Sequence, residues 1–196
     1  MEPLKVQVII GSTREGRFSE KPARYMYAEL GKRTDVKAEL VDLRDWPLPF
    51  FDQSVTPSYK KEPYPHEIVE RWAAKVGEAD GYIIVTPEYN HGYPAVLKNA
   101  LDWVFAQWAH KPVGFVTYGS AMGARSVEQL RQVAIELSLV PLRPAIHIPG
   151  DMYMAASKAD DAGAATAFAP MQERVGAFFD ELVRMAQALK PLRTGG

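Results

Sequence analysis

Two stretches gather side chains that could do chemistry. The first, GSTREGRFS (residues 11–19), follows an apolar run and precedes a helical pattern. A strand feeding a helix through such a loop collects backbone N–H groups, the positive end of a helix dipole, hydroxyls and guanidinium groups, which together suit a phosphate. Ser12, Thr13, Arg14 and Ser19 are the phosphate candidates. A Walker A loop would need lysine at position 17 and a hydroxyl at 18, where the chain has Arg17 and Phe18, and the dinucleotide pattern GxGxxG is absent. What remains is a loop for a metal-free mononucleotide phosphate. Taken alone, the stretch also reads as a solvated turn whose arginines face water.

The second stretch, TPEYNHGYPAVLKNALDW (residues 86–103), crowds polar and ring-bearing side chains where a tight turn would suffice. Pro87 stiffens the turn, and Tyr89 with the nearby aromatics can bracket a flat ring. The backbone from Glu88 to Gly92 can meet the edge of that ring. A third loop, TYGSAMGAR (residues 117–125), has Gly119 and Gly123, which allow close approach of a ligand. His91 could hand a proton to a reduced acceptor, its ordinary titration range being near neutral. A plainer role, hydrogen bonding within the loop or across a subunit contact, is the stronger reading. Glu88 and Asp102 are read as structural, Asp102 as a buried carboxylate that must have partners.

These loops need elements to hold them. Val6–Ile10, Tyr82–Val85, Val113–Tyr118 and Pro144–Ile148 are short, apolar and β-branched, and Val36–Leu43 alternates, which makes five strands. Helical spacing joins Ala23, Met26, Tyr27 and Leu30, with Ser19 as N-cap and Pro22 in the first turn. It recurs at Ile68, Trp72 and Val76, from Leu97 to Trp108, from Val127 to Leu137, and from Phe168 to Leu189. Strand and helix alternate, so the expectation is α/β: a doubly wound parallel sheet in one domain over residues 1–196, helices on both faces. In strand order 2-1-3-4-5 the first and third strands flank the switch point, and a ligand crevice opens between GSTREGRFS and PEYNHGYP. The long connection from Arg44 to Pro65, rich in proline and aromatics, reads as an ordered lid or binding loop, and Pro149–Ala165 as a mobile one. The segment LKNALDWVFAQW is apolar in nearly every direction, so it is expected to be covered on both sides, by the sheet and by a second subunit, with the long loop as the alternative cover.

A GSxR-type loop, PEYN followed by LKNxxDW, and a small glycine-containing loop after the fourth strand occur together and in order. By these the chain resembles the NAD(P)H-dependent FMN reductase family, flavodoxin-like proteins, over roughly residues 4 to 185. The resemblance implies that Ser12, Arg14, Phe18 and Ser19 contact the phosphate and ribityl chain of FMN. It implies that Pro87, Glu88, Tyr89 and Asn90 line the isoalloxazine, with Tyr118, Gly119 and Ser120 on its other edge. The third loop departs from the family's double-glycine form at Ser120 and Ala121. The implied activity is hydride transfer from NADPH or NADH through FMN to a flavin, quinone, azo compound or metal oxyanion, in ping-pong order, by a homodimer or tetramer. A flavodoxin-like electron carrier and a non-enzymatic flavin-binding protein are the alternatives.

Composition bounds these readings. A formal net charge of -1 argues against nucleic acid and against anionic membrane surfaces, and also against the strong acidity of electron carriers. Without cysteine, the chain has no disulfide, thiolate metal site or dithiol relay, so redox work needs a bound cofactor. His66, His110 and His147 lack metal-like spacing, and no metal is expected. A phospho-receiver would need an aspartate where Thr86 and Pro87 stand. The N-terminus lacks signal-peptide features and no run reaches membrane-spanning length, so a cytoplasmic location is expected.

Overall fold

A computed structural model describes residues 2–59 and 63–193. The strands β1 (Leu4–Ile10), β2 (Val36–Asp42), β3 (Gly81–Pro87) and β4 (Pro112–Tyr118) are parallel, and with the short β5 (Val140–Pro141) the sheet runs β2-β1-β3-β4-β5. This is the flavodoxin-like order expected from the sequence. Successive side chains alternate between two cores. Val6, Val8 and Ile10 pack with Ile83 and Val85 beneath α1 (Glu20–Leu30) and α7 (Gln172–Leu189). Ile9, Tyr82, Ile84 and Phe115 pack on the other face beneath α2 (Glu67–Gly77), α3 (Ala95–Asp102) and α4 (Ala124–Glu136). Gly114 lets α7 come close, because a Cβ there would lie 2.2 Å from the Phe178 ring. Among the described residues no helix is long and apolar enough to cross a membrane.

The structure corrects several boundaries. The fifth strand position is filled by two fragments, β5 (Val140–Pro141) and β6 (Ile146–His147), which both pair with β4. Pro141 and Pro144 have no N–H to give a continuous ladder. Pro149–Ala165, expected as a loop, forms α5 (Gly150–Lys158) and most of α6 (Asp161–Phe168), in keeping with its alanine content. The helix expected from Phe168 onward is interrupted by a 3-10 turn, Ala169–Met171, at Pro170.

The helix expected to reach Trp108 stops at Asp102. Indole groups take the carbonyls that a continuing helix would use: Trp72 Nε1 donates to Ala100 O at 2.9 Å and Trp108 Nε1 to Leu101 O at 3.2 Å. The chain then turns back, and Trp103 donates from Nε1 to Pro49 O at 2.7 Å while its ring meets Phe51 edge-on. Trp103 is 0% exposed. The long connection therefore supplies the cover that was otherwise assigned to a second subunit at this residue. Asp102, expected to be buried, is half-exposed and salt-bridged to Lys98 at 2.6 Å.

Candidate active site

Three loops leave the carboxyl ends of β1, β3 and β4: residues 11–19, 88–94 and 119–123. In the first, Arg17 is buried and turned inward. Its Nη1 donates to Ser12 O at 2.5 Å and to Asp42 Oδ1 at 2.7 Å, and its Nε donates to Glu20 Oε1 at 3.0 Å. Burial alone would raise the Asp42 carboxyl, but hydrogen bonds from Arg17 and Arg44 hold it below the usual carboxylate range. Arg17 is thus a brace of the loop. The N–H groups of Thr13, Glu15, Gly16 and Phe18 have no acceptor among the described residues, while the Ser19 N–H faces the Tyr118 hydroxyl.

The expected phosphate candidates fall into distinct positions. Ser12 is buried, and its hydroxyl shares a hydrogen bond of 2.8 Å with the Tyr89 hydroxyl, tying the first loop to the second. Thr13 and Arg14 are exposed, and the Arg14 guanidinium lies 5.9 Å from the centre of the Tyr89 ring. Phe18 is buried beneath the loop against Tyr118 at 4.8 Å and Tyr153 at 4.5 Å. Ser19 does not cap α1 with its side chain; the hydroxyl is fully buried and lies near the Tyr118 hydroxyl without a well-aligned hydrogen bond.

The second loop is a tight reversal. Tyr89 and Gly92 exchange backbone hydrogen bonds, 2.7 Å from Tyr89 N to Gly92 O and 3.0 Å from Gly92 N to Tyr89 O. Asn90 and His91 between them have φ of 48° and 70°. Two positive φ values at the centre define the type I′ turn, which usually has glycine in the second place. His91 tolerates it with its carbonyl held by Gln129 Nε2 at 2.9 Å. The N–H groups of Asn90 and His91 are left without an acceptor among the described residues. Pro87 closes β3, its carbonyl accepting from Ser126 Oγ at 3.1 Å.

Glu88 serves the frame. Its N–H donates to Tyr118 O at 3.0 Å, and its carboxylate accepts from Arg125 Nη1 at 2.5 Å and from the Arg125 N–H at 3.3 Å. It thereby ties β3 to the start of α4, across the third loop. In that loop Met122 N donates to Gly119 O at 2.9 Å, and the N–H groups of Ser120 and Ala121 have no acceptor among the described residues. Gly123 has φ of 74°, and a Cβ there would fall 2.5 Å from Thr117 Cβ, so conformation and space both require glycine. The Tyr118 ring points below the loops, stacked on Tyr153 at 5.9 Å, and burial pushes its hydroxyl up to about 12.

Sequence reasoning missed His147. From β6 its Nδ1 lies 3.1 Å from Met122 O and 3.0 Å from Thr117 Oγ1, while Thr117 Oγ1 donates to Met122 O at 2.9 Å. A carbonyl can only accept, so the contact to Met122 O requires the proton on Nδ1. This pins Met122 at its φ of 53°. Pairing of β6 with β4 at Thr117 was the signal that could have found it, and it lies in the sheet register rather than in any motif.

Two cavities of about 530 Å³ lie elsewhere. One is at the amino ends of the strands, lined in part by Asp80, Lys111 and Arg193; the other is beside the second loop, lined in part by Phe50, Tyr93 and Gln129. Neither lies at the switch point, where ligands of doubly wound sheets bind.

The sequence profile of the NADPH-dependent FMN reductases matches residues 4–152. This chain belongs to that family. Among relatives of this FMN reductase family member, an NAD(P)H-dependent FMN reductase of Schizosaccharomyces pombe is 41% identical over 150 residues, 75% of this chain and 74% of the relative. A quinone reductase of Escherichia coli is 37% identical over 142 residues, 69% of this chain and 72% of the relative. In fold it is similar to the flavoenzyme NAD(P)H:(acceptor) oxidoreductase of Paracoccus denitrificans, with a TM-score of 0.67 at 24% identity over 93% of this chain and 98% of that one.

Proposed function

We propose that this oxidoreductase holds FMN across the three exit loops and passes electrons from NADPH or NADH to a small acceptor, a quinone or free flavin. The observation that carries this reading is the set of unpartnered amides at the switch point, those of Thr13, Glu15, Gly16 and Phe18, beside the fully buried Ser19 hydroxyl. Buried polar groups ordinarily have partners, and a phosphate monoester supplies acceptors of the right kind. Ser12, Thr13, Arg14 and Ser19 would hold the phosphate, with Phe18 forming the floor. Tyr89, with Arg14 above it, bounds the ring slot, and the Asn90, His91, Ser120 and Ala121 amides offer donors to the polar edge of the ring. Gly119 gives that edge room. Glu88 and Tyr118 act from below, as braces between loops.

When bound, FMN would supply the redox chemistry, hydride transfer between a nicotinamide and the acceptor in two half-reactions. The protein binds, orients and shields. No side chain is required as nucleophile. The His91 imidazole, exposed at the lip of the second loop and making no hydrogen bond among the described residues, can give a proton to a reduced quinone. The quinone half of the proposal is supported by the quinone reductase among the relatives.

FMN-loaded protein is expected to oxidise NADPH or NADH steadily when benzoquinone or free FMN is supplied, followed by the loss of nicotinamide absorbance. If flavin binds and no acceptor sustains oxidation, the enzyme reading fails in favour of a carrier.

A further inference from the structure

Arg44 stands outside every motif, on the 3-10 turn Leu43–Asp45 that follows β2. Its guanidinium crosses to the first exit loop, Nε donating to Thr13 O at 3.3 Å and Nη2 to Arg14 O at 2.7 Å, while Nη1 meets Glu20 Oε1 at 3.1 Å. Arg17, whose guanidinium shares Glu20 Oε1 with that of Arg44, takes the Ser12 carbonyl at 2.5 Å. Three successive peptide planes are therefore held by their oxygens. There is no cis peptide in the described chain. In a trans plane the C=O of one residue and the N–H of the next point in opposite directions. Holding the oxygens of Ser12, Thr13 and Arg14 toward the two guanidinium groups turns the N–H groups of Thr13, Arg14 and Glu15 the other way. Of these, Thr13 and Glu15 have no acceptor among the described residues, and Arg14 N–H makes only a 3.4 Å contact with Ser12 Oγ.

We propose that Arg44 is a positioning residue for phosphate recognition, fixing the Thr13–Arg14 and Arg14–Glu15 peptide planes so that their amides face the anion. The inference rests on the assignment of this loop to the FMN phosphate. Arginine suits the task where lysine does not, because its planar fork spans two carbonyls and a carboxylate at once, whereas an ammonium is a compact point charge. Direct contact of Arg44 with the phosphate would make a different demand, since there a lysine could serve.

The test compares FMN with riboflavin, which lacks the phosphate, by quenching of flavin fluorescence on the full-length chain. Arg44 is well exposed, so Arg44→Ala leaves the cores intact. The parent should prefer FMN; Arg44→Ala should weaken FMN binding about tenfold while riboflavin affinity changes less than about twofold, the loss of one well-aligned charged contact. Arg44→Lys should recover only part of the loss. Equal losses for the two flavins, or no loss for either, overturns the proposal, and full recovery with lysine overturns it in favour of direct charge contact. A parent that shows no preference for FMN would instead defeat the phosphate assignment itself, and the Arg44 inference with it.

Discussion

At the scale of residues, the surprise lies in the lysines and arginines. Lys111 is buried just before β4, and Nζ donates to Val76 O and Gly77 O at 3.2 Å each and to the Tyr82 hydroxyl at 3.1 Å. It caps the carbonyl end of α2, where cations are favoured. Burial, reinforced by Arg193, nevertheless pushes its ammonium down from 10.5 to about 8. Below pH 8 the lysine is charged in both folded and unfolded chains, and the folded state carries the cost of burying it. As pH rises above 8 the folded protein releases this proton before the unfolded chain does, so stability rises. Tyr82, Tyr93 and Tyr118, all raised by burial, pull the other way once unfolded tyrosines ionise above pH 10, which confines the useful window to pH 8–10. Denaturant unfolding should show the parent gaining on the order of 2 kcal/mol relative to Lys111→Met between pH 7 and 10. A constant difference across that range would contradict the account. Neither this role nor those of Arg17 and Arg44 could be read from the sequence, because which side of a loop a guanidinium serves depends on a partner such as Asp42 or Glu20 brought in by the fold.

Among elements, the segment after β3 shows what periodicity can and cannot say. Its apolar residues signalled burial, which Leu97, Ala100, Leu101, Trp103, Val104 and Trp108 show, but helix and turn share that composition. The end of α3 is set by the indoles of Trp72 and Trp108, which belong to α2 and to the turn beyond. Trp103 is where the Arg44–Pro65 connection is anchored, through Pro49 O and Phe51, and Asn99 adds hydrogen bonds to Pro49 O at 2.8 Å and from Phe51 N at 3.0 Å. Trp103→Ala should therefore destabilise the folded chain by about 3–5 kcal/mol, the usual cost of emptying a large aromatic site, seen as a lower denaturant midpoint. A change under about 1 kcal/mol would mean that the connection does not depend on this anchor. The helices between Pro149 and Ala165 were missed for the opposite reason. Alanine and glycine give a weak apolar stripe, and the packing of Met152, Tyr153, Ala156 and Ala164 against the core shows why they fold.

Taken whole, the molecule has the topology in which ligands of a doubly wound sheet sit outside the carboxyl ends of its strands, where the order reverses. That much was written in the chain, since short β-branched runs, alternating helices and loop motifs at strand ends require little more than local chemistry to recognise. The crevice-facing donors were only half visible. Motif spacing located the loops, whereas the type I′ turn at Asn90 and His91, the hold of His147 on Met122 and the Glu88–Arg125 brace arise from contacts between distant segments. The most direct measurement is anaerobic titration of the FMN-loaded protein with NADPH and NADH, followed by addition of a quinone and read by visible absorbance. The account predicts that the bound flavin bleaches with nicotinamide and regains its colour with quinone. Bound flavin that keeps its colour with both nicotinamides, or a protein that binds no FMN, would contradict it.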